Sequence, residues 1–370
     1  MRSKLWLLKA AQAVGVSSII GATEWRRSRL LILCYHGFST HDEHEWNPNL
    51  YSTGAFLRKR LETLRRLNCR LLPLAEGLLR LREGTLPPMA VALTFDDGAR
   101  DFADVAVPIL TEFDAPATVY VATFYCVHRM PVFDTALSYV LWRGHVAHPR
   151  LSASAFGLDP AIDSELTNST PEERKRAVAA IGAEARRAGL DAYEKNALLR
   201  HVAEAVGVDF DEFLGSGRLQ LMTAEQLKQL PTPLIDIQLH THRHRTPRVE
   251  ALFAREIEDN REALQRLTGS SQPRCHFCYP SGNYAGEFLE WLPKLGVTSA
   301  TTCIPGLSSQ VTDPLLLPRF VDTLQTPDII FTSWLTGVAD LVPRSRAVRL
   351  DRRKLIALNA ASPGAVGDRP

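Results

Sequence analysis

Two adjacent carboxylates, Asp96 and Asp97, stand in Thr94-Phe95-Asp96-Asp97-Gly98, directly after the apolar run Met89-Ala90-Val91-Ala92-Leu93. The run reads as a buried strand, so the pair emerges where a strand stops and a loop begins. Neighbouring acids repel each other unless something positive holds them. A divalent ion on one, with the other free to take a proton, would meet that need. An acidic turn closed by Gly98 is the plainer alternative. A second polar group, His240-Thr241-His242-Arg243-His244, follows the strand-like run Leu234-Ile235-Asp236-Ile237-Gln238-Leu239. Residues four apart, such as His240 and His244, come to one side of a helical turn or tight loop. Neutral imidazoles with a carboxylate are what zinc takes as protein ligands, leaving an open position for water. A basic surface turn made with Arg243 and Arg245 is the alternative here. A third group, His36-Gly37, ends the run Leu30-Leu31-Ile32-Leu33-Cys34-Tyr35.

Groups at several strand ends need strands that point the same way. After the aspartates comes a helical pattern with Phe102, Val105, Ile109 and Leu110, then the run Ala117-Thr118-Val119-Tyr120-Val121-Ala122. Strand, helix and strand at this spacing make a βαβ unit with a parallel sheet, whose ligand sites lie at the carboxyl ends of strands. The alternation resumes at residue 234, continues through His276-Phe277-Cys278-Tyr279 and the turn Pro280-Ser281-Gly282, and includes a helix over 287–295 and a strand over 297–303. Leu315-Leu316-Leu317-Pro318-Arg319 closes the body, and Ile329 to Leu341 reads as a last packed helix. Residues from about 134 to 222 are different: two long patterns rich in Ala, Glu and Arg, near 171–189 and 192–207, predict a helical insertion. The expected fold class is therefore α/β, with a body over 30–342, an N-terminal amphipathic helix over 1–29 and a flexible basic tail over 343–370.

The totals narrow the function classes. The chain has 370 residues, 45% apolar and 23% charged, with a net charge of +2, so nothing in its bulk charge points to nucleic acid. The cysteines, Cys34, Cys69, Cys126, Cys275, Cys278 and Cys303, are mostly scattered and suit a reducing compartment. Cys275 and Cys278 form a lone C-x-x-C, read as two strand thiols instead of a zinc knuckle. The apolar stretch from Ala10 to Ala22 contains Gln12, Ser17 and Ser18 and is too short to span a bilayer. The expectation is a cytoplasmic protein whose N-terminal helix docks on the body or rests on a membrane surface.

Thr-Phe-Asp-Asp-Gly, then His-Thr-x-x-His, then Tyr-Pro-Ser-Gly, in this order, resemble the polysaccharide deacetylases with the NodB-homology fold, carbohydrate esterase family 4. The resemblance covers about residues 30 to 320 without the insertion and implies a distorted (β/α) barrel. It also implies that Asp96 is the catalytic base and that Asp97, His240 and His244 bind a divalent metal, zinc for preference. Many members carry an arginine in the third motif that orients the base, whereas here that position holds Cys278, and Arg274 lies too early to replace it. The family's acid histidine usually lies near the C-terminus, yet no histidine follows His276. The Cys-Tyr-His-Gly segment is similar to that of the circularly permuted poly-N-acetylglucosamine deacetylase type, which implies His36 as the acid. His242 reads as a supporting or exposed residue. The turn Tyr279-Pro280-Ser281-Gly282 is the candidate substrate and oxyanion contact, through a backbone N–H near Ser281. The implied reaction is metal-assisted removal of acetyl groups from N- or O-acetylated sugars of a polysaccharide or oligosaccharide. The alternatives are a deacylase of a small or lipid-linked amino sugar and a non-catalytic carbohydrate-binding protein that kept the fold.

Overall fold

The computed structural model describes residues 8–9 and 15–342. The expected helix over 1–29 falls partly outside them, and the basic tail over 343–370 falls wholly outside. The chain divides into two compact units, one built from residues up to Phe124 and from Ala224 onward, the other being Tyr125–Thr223.

The first unit is a curled, mainly parallel sheet. Its strands are β1 (Leu30–Tyr35), β4 (Arg70–Leu71), β5 (Ala90–Phe95), β6 (Ala117–Val121), β7 (Ile235–Leu239), β8 (His276–Cys278), β9 (Ser299–Thr301), β10 (Leu307–Ser308) and β11 (Phe320–Val321), while β2 (Gly37–Phe38) and β3 (Tyr51–Ser52) form a separate small ladder. The order is β10-β1-β5-β6-β7-β8-β9, with β11 also on β1 and β4 on β5. Among the described residues of this sheet, only the β1–β10 pairing is antiparallel. Strands β1, β5 and β6 are buried along their whole length, as expected of parallel strands covered on both faces.

The segment ahead of β11 draws the two ends of this sheet together. Leu317 bridges Thr301 in a parallel sense, and three residues later Phe320 pairs with Leu33 of β1. A run read from sequence only as the end of the body thus links β9 to β1 and gives the sheet its barrel-like curl. Side chains alternate along each strand, and Leu30, Ile32, Ala90, Ala92, Tyr120, Cys278 and Leu317 form one buried cluster with Leu74 and Leu81 of the helix Leu74–Glu83.

Two details differ from the sequence pattern. The helix after the aspartates contains a π-helical stretch, Phe102–Ala106, ahead of the α-helix Val107–Glu112. The helix expected from 329 to 341 is two, Asp328–Thr336 and Val338–Leu341. Between them Gly337 adopts φ 87°, and a Cβ there would lie 2.6 Å from the Trp25 ring. The second unit holds the helices Phe133–Gly144, Pro171–Arg187, Ala192–Ala205 and Phe210–Gly215. Capping boxes at Thr170/Glu173 and Asp191/Glu194 start the middle two.

Beside β1 and β11 lies a buried ion pair. Arg60 donates to both Asp322 oxygens at 2.9 and 3.2 Å, and both residues are almost fully buried. The Tyr35 hydroxyl also donates to Asp322, at 3.1 Å, and the Asp322 N–H donates to the Cys34 carbonyl at 3.1 Å. The pair therefore pins the closing segment to β1. Removing one partner of a buried pair leaves the other charge uncompensated. Arg60→Ala is expected to lose about 3–5 kcal/mol of stability, read from the urea midpoint; a loss under about 1 kcal/mol, the level of an exposed pair, would refute this.

Candidate active site and metal centre

The Asp96 N–H adds one more rung to the ladder by donating to the Tyr35 carbonyl at 2.9 Å. The chain then turns through two left-handed residues, Asp97 at φ 69° and Gly98 at φ 78°. Asp tolerates this region better than most residues, and Gly enters it freely. Gly98 is also demanded by space, since a Cβ would sit 2.8 Å from a Val121 methyl. The turn separates the two carboxylates and sends them to different partners.

Asp96, 3% exposed, meets Arg319 in a two-pronged pair: Nη1 to Oδ1 at 2.6 Å and Nη2 to Oδ2 at 2.7 Å. Arg319 is fully buried, and its other donations are spoken for. Nε donates to the Thr302 carbonyl at 3.0 Å, Nη1 also to Thr94 Oγ1 at 3.1 Å, and Nη2 also to Cys278 Sγ at 3.1 Å. Burial pushes the Asp96 carboxyl up, but the Arg319 guanidinium overrides this and holds it well below the usual carboxylate range. Burial pushes the Cys34 and Cys278 thiols well up, so they stay protonated and donate to Asp96 Oδ2 at 3.5 and 3.4 Å. His36 Nε2 stands 3.7 Å from the same oxygen. Arg319 is the partner of Asp96 that the sequence pattern does not reveal. It places an arginine where the third motif has none, from the segment just ahead of β11.

Asp97 faces the histidines. Its Oδ1 lies 3.1 Å from His240 Nε2 and 3.2 Å from His244 Nε2. The other ring nitrogen of His240, Nδ1, is 2.9 Å from the Cys278 carbonyl, which can only accept, so Nδ1 carries the proton. In the neutral ring, Nε2 then presents a lone pair to a carboxylate oxygen, and such an arrangement calls for a cation between them. Zinc held tetrahedrally at about 2.1 Å keeps its ligands about 3.4 Å apart, close to the separations here. Burial opposes charge on both partners, yet their attraction prevails: the Asp97 carboxyl is held well below its usual range and the His240 imidazole is raised. Two further sets of ligand-type atoms, Cys34/His36/Asp96 and Asp96/His240/Cys278, also cluster. Both depend on Asp96, whose oxygens are already taken by a guanidinium cation that would repel a metal. The residues that fit a divalent ion are Asp97, His240 and His244, and they lie in a non-helical loop instead of on a helical turn.

The remaining candidates fall in different places. Tyr279 is buried; its hydroxyl donates to the Leu315 carbonyl at 3.0 Å and its N–H to the Thr301 carbonyl at 3.3 Å, so neither is free for a substrate. Pro280 has no N–H, and the Gly282 N–H donates to the Tyr279 carbonyl at 2.9 Å. This narrows the oxyanion candidates to Ser281, which is exposed with φ 55°. His242 is half-buried, with Nδ1 2.8 Å from Thr123 Oγ1. Arg274 donates to the Ile237 carbonyl at 2.6 Å, midway along β7 and short of its His240 end.

The comparisons with known proteins agree with this geometry. The family model for polysaccharide deacetylases matches residues 83–137 and 207–300, stretches that carry both aspartates, His240 and His244, and the Tyr-Pro-Ser-Gly turn. Among solved structures, IcaB from Ammonifex degensii is similar at 17% identity and a TM-score of 0.52, over 83% of this chain and 97% of that one. The Streptococcus pyogenes deacetylase PplD, solved in complex with acetate, is similar at 19% identity and a TM-score of 0.51, over 80% of this chain and 93% of that one. At these identities the structural likeness speaks for the fold. No curated protein matches the chain. The family match over these two stretches and the shared NodB-type fold together support a likeness to the polysaccharide deacetylases.

The Asp96–Arg319 pair sets a pH test. Arg319 keeps the Asp96 carboxyl ionised far into acid, so Arg319→Leu is expected to raise its pKa and move the acidic limb of kcat/KM upward by about 1–3 pH units. Arg319→Lys, which keeps the charge, is expected to move it less. An unmoved limb in an active Arg319→Leu variant would show that Asp96 is not the group titrating there.

Proposed function

We propose that this chain is a zinc-dependent deacetylase that hydrolyses the acetamide of N-acetylated sugars in a polysaccharide, a carbon–nitrogen bond other than a peptide bond. The observation that carries the proposal is the division of the two aspartates: Asp97 Oδ1 converges with His240 Nε2 and His244 Nε2, while Asp96 is held by Arg319 and flanked by His36. When bound, the metal would polarise the acetyl carbonyl and acidify water. Asp96, kept ionised by Arg319, takes a proton from the attacking water as the new C–O bond forms. His36 gives a proton to the sugar nitrogen as the C–N bond breaks, releasing acetate and a free amine. The exposed Ser281 N–H is the candidate donor to the acetyl oxygen as negative charge gathers there.

The separate roles make separate predictions. Asp97→Ala and His240→Ala are expected to lose bound zinc and acetate release together, by metal analysis and an acetate assay on N-acetylglucosamine oligomers. Asp96→Asn should keep the zinc and lose turnover by about 10²–10⁴-fold; wild-type turnover in this variant would refute the mechanism. Acetate or formate release from lipid-linked amino sugars but not from the oligomers would transfer the activity to that substrate class. Failure to bind any divalent metal would favour a carbohydrate-binding role instead.

A further inference from the structure

The loop that carries both histidines has two residues in the left-handed region, Thr241 at φ 62° and His244 at φ 56°. Residues other than glycine keep such a backbone only where their surroundings impose it. What imposes it here is one face of the helix Glu250–Thr268, where Glu256 and Asn260, one turn apart, are 1% and 0% exposed.

Asn260 holds the start of the loop. Its Oδ1 accepts the His240 N–H at 3.0 Å, and its Nδ2 donates to the Val121 carbonyl and to Thr123 Oγ1, both at 2.9 Å. One amide therefore ties the end of β7 to the end of β6, and the Thr123 hydroxyl passes the link on to His242 Nδ1 at 2.8 Å. Glu256 holds the rest. Its carboxylate accepts the Arg243 N–H at 2.7 Å, Arg243 Nη1 at 3.1 Å and Arg245 Nε at 2.9 Å, and its backbone carbonyl accepts the His242 N–H at 3.0 Å. His244 lies between the two arginines that Glu256 anchors.

We infer that Asn260 and Glu256 are positioning residues for the metal centre, Asn260 acting through His240 and Glu256 through His244. The inference rests on the reading of Asp97, His240 and His244 as metal ligands. Outer partners that orient ligands commonly govern metal affinity by about 10–100-fold. The arginines flanking His244, which alone would read as a basic surface turn, serve here as handles by which the helix grips the loop.

The test uses cobalt(II) as a spectroscopic probe on the full chain, with the dissociation constant taken from chelator competition and the ligand geometry from the visible bands. Asn260→Ala and Glu256→Gln are expected to bind cobalt about 10–100-fold more weakly, with altered bands. Phe253→Leu, buried on the same helix with its ring packed on Phe277, Phe288 and Trp291, is expected to lower stability while keeping wild-type affinity and bands. That contrast separates positioning from general loss of stability. Wild-type cobalt affinity and spectrum in Asn260→Ala or Glu256→Gln would overturn the role of that residue, as would an equal loss of affinity in Phe253→Leu. If Asn260→Ala does not fold, Glu256→Gln decides. Failure of the wild-type chain to bind cobalt would instead overturn the ligand reading.

Discussion

The Asp96–Arg319 pair is the constraint on which the site depends. Two opposite charges sit in the barrel interior, and withdrawing either from water costs several kcal/mol unless partners satisfy it. The satisfaction is thorough: the guanidinium reaches Asp96, Thr94, the Thr302 carbonyl and Cys278, groups that come from β5, β8 and the loop after β9. Its central carbon also lies 5.8 Å from the centroid of the Tyr120 ring on β6. The pair also separates two chemically identical side chains. Because Arg319 takes both oxygens of Asp96, Asp97 is left to meet His240 and His244, and the proposed division of roles rests on that.

Position 278 makes sense in the same terms. An arginine there would compete with Arg319 for one carboxylate and set two like charges side by side in a buried space. A thiol is small, is inexpensive to bury and can still donate weakly. Cys278 makes room for the guanidinium, with Nη2 3.1 Å from its sulfur, while adding a contact to Asp96 Oδ2 at 3.4 Å. Cys34 repeats the arrangement from β1 at 3.5 Å.

Much of this was legible in the sequence because the signals are local. Apolar runs that stop at Asp96, His240 and His36 mark strand ends, and parallel strands gather those ends on one side. Arg319 was illegible because its partner is 223 residues away and pairing over that distance leaves no local pattern. The available hint was indirect: a cysteine where an arginine was expected, and a late apolar run ending in Pro318-Arg319. Tyr279 misled for a different reason. A residue in a motif turn reads as facing the site, whereas its ring and N–H serve the core and the sheet. The split at Gly337 was hidden because an apolar pattern carries no record of a neighbouring Trp25 ring.

The segment that draws the sheet closed also delivers Arg319, which has a bearing on how the folded chain comes into being. On the ribosome, Asp96 emerges more than two hundred residues before its counter-charge is synthesised. Until then its carboxylate has no stable place in an apolar interior. Closure of the barrel and neutralisation of Asp96 thus coincide, so the buried charge finds its place only when the last segment of the sheet is in hand.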